Sequence, residues 1–379
     1  MRAKKFIIVV FSFFVFVVSS IGIINYVINP YGIYNHSFTN LPKTRQSNKM
    51  KLVKALKIES VKPASITLGT SRTEHGYDPS HSYFIQPAYN LATSGASMYE
   101  NRLYFEKALN QGNLEKVLIV ADWIMFNTKE MKKTDDFEEY FDNSFIKYNY
   151  LATVDMLKDS VLTVLLQGGV EYLHNGQRNR TYKWRGIRNS GGHLTVMNRD
   201  EKRYYNRKNY PHNKNIYQDT KMSAFDDFEN ILRQAYENNI VVDIVFGPSH
   251  IRQWEAFAYY HDYNIWLQWK KDVVLSVEKI ANKYDKTPFR VMDFSVYHPL
   301  TAEEVPKDPK IQMKWHWEGS HYKHELGLIV LDRLVGKNQY KDFGVKVNSL
   351  NIDMHLKNLK KDRHIFIDIK KYREEVFKE

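Results

Sequence analysis

A chain of 379 residues with 43% hydrophobic and 14% aromatic residues supplies a large core, which excludes an intrinsically disordered protein. Its 55 lysines and arginines outnumber its 43 acidic residues and give a formal charge of +12, which favours anionic partners such as acidic glycans, phospholipid headgroups or nucleic acid. Cysteine is absent, so the sequence excludes a disulfide framework, a thiolate metal site and a cysteine nucleophile.

The chain begins with a basic segment and continues into a long apolar one. Arg2, Lys4 and Lys5 precede residues 6–28, which at about 1.5 Å per residue are long enough as a helix to cross a hydrocarbon core of about 30 Å. The apolar core of a cleaved signal peptide is usually shorter, about 7–15 residues. The sequence therefore favours an uncleaved single-pass anchor at residues 1–28 over a signal sequence. The basic start favours a cytoplasmic N-terminus, with the rest of the chain outside the cytoplasm.

Residues 29–62 are predicted to form a linker or approach segment, and from residue 63 short apolar runs alternate with amphipathic stretches. The apolar runs predict strands at 65–68, 116–121, 241–246 and 289–294, and the amphipathic stretches predict helices at 99–110, 223–238, 251–282 and 322–335. This alternation is typical of a mostly parallel sheet with helices on both faces. We therefore expect an α/β fold, a three-layer α/β/α domain over residues 63–338, with functional residues at the carboxyl ends of the strands.

Two stretches depart from this alternation: a long insertion at about residues 128–220 and a basic C-terminal extension at 339–379. Within the insertion, residues 177–210 carry ten basic residues and five aromatic ones. The basic residues are Arg178, Arg180, Lys183, Arg185, Arg188, Arg199, Lys202, Arg203, Arg207 and Lys208, and the aromatic ones are Tyr182, Trp184, Tyr204, Tyr205 and Tyr210. We expect this stretch to lie beside the cleft and to bind an anionic polymer or lipid surface, with Arg185, Arg188 and Arg203 as candidate contacts. The alternative is a solvated insertion with no ligand.

The first candidate for chemistry is Ser71, which follows the first predicted strand in Gly69-Thr70-Ser71. A serine at the turn from a strand into a helix can present its hydroxyl above the sheet. The N-terminus of the following helix offers unpaired N–H groups to a developing oxyanion. The alternative is that Ser71 only caps that helix.

The second candidate is the pair Glu318 and His321, which precedes the last predicted helix. A serine nucleophile needs an imidazole to take its proton, and the imidazole needs a carboxylate to fix its tautomer and stabilise its charged form. Residues three apart can face the same way on a turn. The alternative is a surface Glu–His pair at the head of the helix.

Taken together, these two blocks resemble the SGNH hydrolase superfamily. That superfamily places its nucleophile after the first strand in a Gly-Asp-Ser-like block and its acid and base in Asp-x-x-His near the C-terminus. Gly69-Thr70-Ser71 matches the first block with threonine in place of aspartate, and Glu318-x-x-His321 matches the last with glutamate in place of aspartate. The resemblance spans about residues 64–335. It implies a Ser71 nucleophile, a His321 base and an orienting Glu318.

The resemblance also implies where an oxyanion would be held. A glycine after the second strand serves as a donor in the superfamily, and Gly95 in Asn90-Leu91-Ala92-Thr93-Ser94-Gly95 matches it, beside the N–H of Ser71. The superfamily's Gly-x-Asn-Asp block has no counterpart near Asp122, and Asn127 lies further along the chain. Asp122 and Arg72 are candidate substrate contacts. The alternative for Asp122 is a structural one, in which it holds Arg72 or caps the end of the strand.

The membrane-anchored branch of the superfamily, which serves D-alanylation of teichoic acids and O-acetylation of alginate, is similar in its N-terminal anchor and variable middle blocks. This similarity implies acyl transfer to a cell-surface polysaccharide or other acylated glycan, with no cofactor and with a membrane protein as a candidate acyl donor. The alternative from another class is a non-catalytic glycan-binding or envelope-assembly protein. An external domain argues against a nucleic-acid partner.

Three other polar residues near strand ends have weaker claims. His75 follows Ser71 too closely to be its base if a helix starts there, so packing or substrate contact is expected. His250 follows the strand at 241–246 and is a candidate for lining the cleft. Asp293 is a rival orienting acid if Glu318 points away. The sequence shows no metal-ligand spacing and no Gly-rich phosphate loop, so no metal is expected.

Overall fold

The computed structural model describes residues 2–36, 38–127, 137–142, 145–166, 168–179, 183–206, 214–337 and 339–379. In chain order the elements are α1 (Arg2–Ile28), α2 (Met50–Val61), β1 (Ser65–Leu68), α3 (Ser71–Gly76), β2 (Ala88–Asn90), α4 (Met98–Leu109), β3 (Lys116–Ala121), α5 (Trp123–Phe126), α6 (Glu139–Asp142), α7 (Val154–Leu166), α8 (Lys183–Asn189), α9 (Gly192–Tyr204), α10 (Ala224–Glu237), β4 (Val241–Phe246), α11 (Ile251–Tyr260), α12 (Tyr263–Lys283), β5 (Arg290–Asp293), α13 (His324–Leu334), β6 (Val345–Val347), α14 (Ile352–Phe366) and α15 (Ile369–Phe377). The chain divides into two compact units, unit 1 (1–60 and 135–173) and unit 2 (61–134 and 174–379).

Unit 1 contains the apolar N-terminal helix. Helix α1 is long and apolar enough to span a membrane over Ala3–Ile28. The segment predicted as a linker does not remain a free linker, because residues 31–34 and α2 pack with residues 146–172 into a hydrophobic core of their own. That core contains Tyr31, Ile33, Tyr34, Met50, Leu52, Val53, Ile146, Met156 and Tyr172.

Unit 2 is built on a six-stranded sheet in the order β2-β1-β3-β4-β5-β6 among the described residues. The first five strands are parallel, and β6 pairs antiparallel with β5. The inner strands β1 and β3 carry buried Ile66, Leu68 and residues 117–121, as expected for strands covered on both faces. The prediction of a mixed α/β fold with a mostly parallel sheet and one apolar N-terminal helix is confirmed, whereas the three-layer arrangement stays a prediction.

The four predicted strands are present, and two further ones, β2 and β6, have only three residues each. The helix predicted at 251–282 is two helices, because His261 and Asp262 are extended and the Asp262 side chain accepts the N–H of Asn264 to cap α12.

The C-terminal extension completes one edge of the sheet. Val347 of β6 pairs with Val291 of β5, and His355 of α14 lies 2.8 Å from the Asp293 carboxylate at the end of β5. The domain boundary predicted at residue 338 therefore falls inside unit 2.

Candidate active site

Ser71 is the first residue of α3, directly after β1. The turn that leads into it requires glycine at position 69, where φ is +154° and a Cβ atom would lie 2.0 Å from Thr73 Oγ1. Thr70 caps the helix, since its hydroxyl oxygen accepts the Arg72 N–H at 3.4 Å. Ser71 is not the cap, so its hydroxyl is not consumed by the helix.

Ser71, His321 and Glu318 form one hydrogen-bonded series. Ser71 Oγ lies 2.7 Å from His321 Nε2, and His321 Nδ1 contacts Glu318 Oε1. The second oxygen of Glu318 accepts the backbone N–H groups of Ser320 at 2.8 Å and His321 at 3.3 Å, which fixes the carboxylate in this orientation. With Glu318 ionised, Nδ1 carries the proton and Nε2 is left to accept from the Ser71 hydroxyl.

The electrostatics of this series favour an ionised Glu318. Burial alone would raise the pKa of its carboxyl, but the charges of His321 and Lys183, with the hydrogen bonds that both make, hold that pKa well below its usual range. Lys183 Nζ lies 2.9 Å from Glu318 Oε1. The His321 side chain is 16% exposed, against 7% for Glu318. The acid is therefore shielded while the imidazole edge stays within reach of solvent.

Ser71 and His321 lie 250 positions apart in the chain, and a close approach of two helices brings them together. A Cβ atom on Gly327 of α13 would lie 1.7 Å from the Gly76 carbonyl oxygen at the end of α3. Only glycine at both positions allows this contact, because the Tyr322 ring would meet a Cβ on Gly76 at 2.1 Å. The turn that carries His321 is closed by an antiparallel bridge between His316 and Tyr322.

Arg72 and Asp122, predicted as candidate substrate contacts, are buried and pair with each other. Asp122 also accepts the Thr70 hydroxyl at 3.0 Å, and Arg72 donates to Ser320 Oγ at 3.0 Å and to Tyr205 OH at 3.2 Å. This is the structural alternative for Asp122, in which it holds Arg72. The pair joins α3 to the end of β3 and to the turn before His321, so it helps to position the series.

Gly95, the oxyanion donor expected together with the Ser71 N–H, lies like Ser71 after the carboxyl end of a strand. Gly95 is in the exposed loop after β2, the strand next to β1, and a Cβ there would meet nothing within 4 Å. Asn127 does not supply a side-chain donor, because its amide bonds Asn215 Oδ1 at 2.6 Å.

Three predicted residues have other surroundings. His75 is buried, and its ring meets the His321 ring edge-on at 5.2 Å, which is the packing role expected. His250 is not available to a cleft, because its ring caps α11 through the Arg252 N–H and its Nε2 lies 2.7 Å from the Glu303 carbonyl. Asp293 is not a rival acid.

Asp293 has its own buried partners. Lys270 Nζ and His355 Nε2 lie 2.7 and 2.8 Å from its carboxylate.

The predicted insertion approaches the site through α8 and α9. Lys183 reaches Glu318, Tyr205 reaches Arg72, and the ring of His193 lies 3.0 Å from the Trp317 carbonyl. Arg185, Arg188 and Arg203 are exposed on these helices. Arg180, Tyr182, Arg207, Lys208 and Tyr210 lie outside the described residues. Sequence reasoning counted Lys183 only as one of ten basic residues, since nothing in its spacing linked it to a carboxylate 135 positions away.

His193 binds backbone groups of the segment that leads to Glu318 only when its imidazole is neutral. It is fully buried, its Nδ1 faces the Trp317 carbonyl, and its Nε2 accepts the Met313 N–H at 3.0 Å. This pattern fits only the neutral imidazole, and burial lowers the pKa of His193 from 6.5 to about 4.

Stability is expected to fall in acid because of His193. Between pH 6.5 and 4 the unfolded chain binds the proton and the folded chain does not, so the stabilisation is present above pH 6.5 and is lost as pH falls towards 4. The free energy by which wild type exceeds His193→Gln should shrink by about 1–2 kcal/mol between pH 7 and 5 in denaturant titrations. A difference that is the same at both pH values would contradict this account.

Among the described residues, no group of three or more His, Asp or Glu side chains is placed to hold a metal ion. Neither the models of known protein families nor the sequences of curated proteins match this chain.

Proposed function

We propose that the protein is a membrane-anchored, extracytoplasmic serine esterase or O-acyltransferase of the SGNH type that acts on acyl or acetyl esters of a cell-surface polysaccharide. The observation that carries the proposal is the series Ser71–His321–Glu318, with 2.7 Å between the hydroxyl oxygen and the imidazole nitrogen. Serine, imidazole and carboxylate in this order are the parts that nucleophilic acyl transfer requires. If Ser71 only capped a helix and Glu318 and His321 were only a surface pair, nothing would require Ser71 and His321 to be in contact.

The chemistry follows from the protonation states of the three groups. Ser71 Oγ bonds to the ester carbonyl carbon while its proton passes to His321 Nε2, and Glu318 stabilises the imidazolium. The N–H groups of Ser71 and Gly95 hold the oxyanion. The tetrahedral intermediate then breaks its bond to the alcohol, which takes the proton from His321. Water or a polymer hydroxyl next gives its proton to His321 and attacks acyl-Ser71; the bond to Ser71 Oγ then breaks, Ser71 recovers the proton from His321, and the acid or the acylated polymer is released. This chemistry needs no cofactor.

The place of action follows from α1 and the charge of the chain. Three basic residues precede the apolar span, which favours the cytoplasmic side for the N-terminus and the outer side for unit 2. A net charge of +12 favours an anionic polymer as the acceptor. A membrane protein that delivers the acyl group fits this location.

The exposed arginines of α8 and α9 are the proposed polymer contacts. Changing Arg185, Arg188 and Arg203 together to serine should lower affinity for an acidic polysaccharide and flatten its salt dependence, because exposed charge contacts are screened by salt. A matched control removes three exposed charges from α14, Lys357, Lys360 and Lys361, and should bind as wild type does. Binding is measured by titration at two salt concentrations. Equal effects of the two triple variants would contradict these contacts and would favour the alternative of a solvated insertion with no ligand.

The proposed function is tested with the full-length protein in detergent and a small acetyl ester. We expect ester consumption that depends on Ser71, and acetyl groups on an added acidic polysaccharide if the protein is a transferase. Folding is monitored by circular dichroism in the same samples. A folded protein that neither hydrolyses nor transfers the acetyl group would replace this proposal with the non-catalytic glycan-binding alternative.

A further inference from the structure

Helix α7 of unit 1 has its polar and apolar faces in the opposite places from a helix of a soluble domain. Its buried face carries Asp159, Ser160 and Thr163 beside a single apolar residue, Met156, with Met156, Ser160 and Thr163 fully buried. Its exposed face carries Val154, Val161, Val164, Leu165 and Leu166, with Leu165 71% exposed, together with the charged Asp155 and Lys158 in its first turns. In water such a helix would normally turn its leucines and valines inward. The exposed face of α7 therefore matches an apolar surrounding.

The polar face of α7 is satisfied by the end of α1 and the segment that follows it. Asn25 of α1 is fully buried, its side-chain carbonyl accepts the Ser160 hydroxyl at 2.9 Å, and its amide donates to the carbonyls of Leu151 and Thr153. Asp159 accepts the Tyr31 hydroxyl at 2.8 Å. Such bonds between helices satisfy polar groups where water is excluded.

The position of these contacts along α1 sets the depth of α7. Residues 3–17 of α1 are exposed, and packing begins only at residue 18, so unit 1 packs against one side of the last three turns of the apolar span, where Ile23 and Ile24 remain exposed. At about 1.5 Å per residue, the 13 residues of α7 cover about 20 Å, too short to cross a hydrocarbon core of about 30 Å. Further exposed apolar side chains of unit 1, Phe38, Val170 and Leu173, lie outside both helices.

We propose that α7 is a second membrane element, which enters the outer leaflet beside α1 and presents Val154, Val161 and Leu165 to lipid acyl chains. The occupant of this apolar face is the bilayer itself, because the face belongs to the same unit as the membrane span and is held to its outer half by Asn25. Lys158 is exposed on the same stripe as Val154, Val161 and Leu165, and its long apolar stem allows the ammonium to reach the headgroups while the face contacts acyl chains. This inference rests on the membrane-anchor part of the proposed function and not on its catalytic part.

The absence of cysteine allows a direct test with single-cysteine variants of the full-length chain. Val161→Cys and Leu165→Cys report the exposed face of α7, and Phe13→Cys reports the anchor. Met354→Cys, on an exposed position of α14 in unit 2, is the matched control. Each variant is labelled with an environment-sensitive fluorophore and reconstituted into phosphatidylcholine–phosphatidylglycerol vesicles with either ordinary or brominated acyl chains.

We expect brominated lipid to quench the labels at positions 13, 161 and 165 and to spare the label at 354, which aqueous iodide should quench instead. Quenching at 13 with iodide quenching at 161 and 165 would overturn the inference while leaving the anchor in place. No lipid quenching at 13 would overturn both. Labels at 161 and 165 that are shielded from iodide and from brominated lipid would show a protein partner on this face and would overturn the lipid assignment.

Discussion

Replacing Ser71 or His321 by alanine is expected to lower the turnover of a small acetyl ester by about 10⁴- to 10⁶-fold, the usual cost of losing the nucleophile or base of a coupled triad. The two side chains are 2.7 Å apart and share one proton in the reaction. Without His321 the Ser71 hydroxyl has no base to take its proton, and without Ser71 the imidazole has no nucleophile to activate. The double variant should therefore be no slower than either single one.

One further variant separates the roles within the series. Glu318→Gln should leave measurable activity, because glutamine can still bond His321 but cannot stabilise its charged form. Ser60→Ala and His364→Ala, at exposed positions on α2 and α14, are matched controls that should keep full activity. Steady-state kcat/KM values of the wild type and the six variants test these roles, and additive losses in the Ser71/His321 double variant would contradict a coupled pair.

Replacing Asp293 by asparagine is expected to cost about 3–5 kcal/mol of unfolding free energy, since it leaves a buried lysine without its counter-charge. Asp293 and Lys270 are fully buried and 2.7 Å apart. Burial by itself raises the pKa of Asp293, but Lys270 and His355 lower it to about 2, so the carboxylate is charged at neutral pH. Its contribution to stability is present above its unfolded pKa and is lost as pH falls towards 2.

The neighbouring pair Lys271 and Asp353 supplies the control for Asp293. It has the same 2.7 Å separation, but its aspartate is 73% exposed. Asp353→Asn should cost at most about 1 kcal/mol. Adding Lys270→Met to Asp293→Asn should recover part of the lost stability, because no buried charge is then unpaired. Denaturant titrations that give equal losses for Asp293→Asn and Asp353→Asn would contradict this account.

The long central strands were predictable because burial on both faces selects apolar runs rich in β-branched residues. Residues 116–121 and 241–246 are such runs, and the structure has β3 and β4 with these same bounds. Strands β2 and β6 were not predictable, because three residues carry no periodicity and β6 forms only by pairing with β5. The association of residues 29–62 with 135–173 in unit 1 depends on packing between distant segments, which local patterns do not report.

The candidate site was predictable in its reacting groups and not in its supports. Ser71, Glu318 and His321 stand in short motifs with fixed spacing. The supports of the site, Lys183 beside Glu318 and the buried pair of Arg72 with Asp122, come from positions whose separation follows no rule. His250 was misplaced because its position after β4 suited a cleft residue, whereas the side chain caps α11. Helix α7 lies in the stretch predicted only as an insertion, and the sequence pattern does not reveal which of its faces is buried.

The most direct measurement of the central claim is covalent labelling of the full-length protein with an alkyl fluorophosphonate, located by peptide mass spectrometry. The label attaches to a serine only when an adjacent base activates its hydroxyl. We predict one labelled residue, Ser71, in the wild type and none after His321→Ala, with Ser60 unlabelled in both. Labelling of Ser71 that persists without His321, or no labelling of a folded wild-type protein, would contradict the claim that Ser71 is an activated nucleophile.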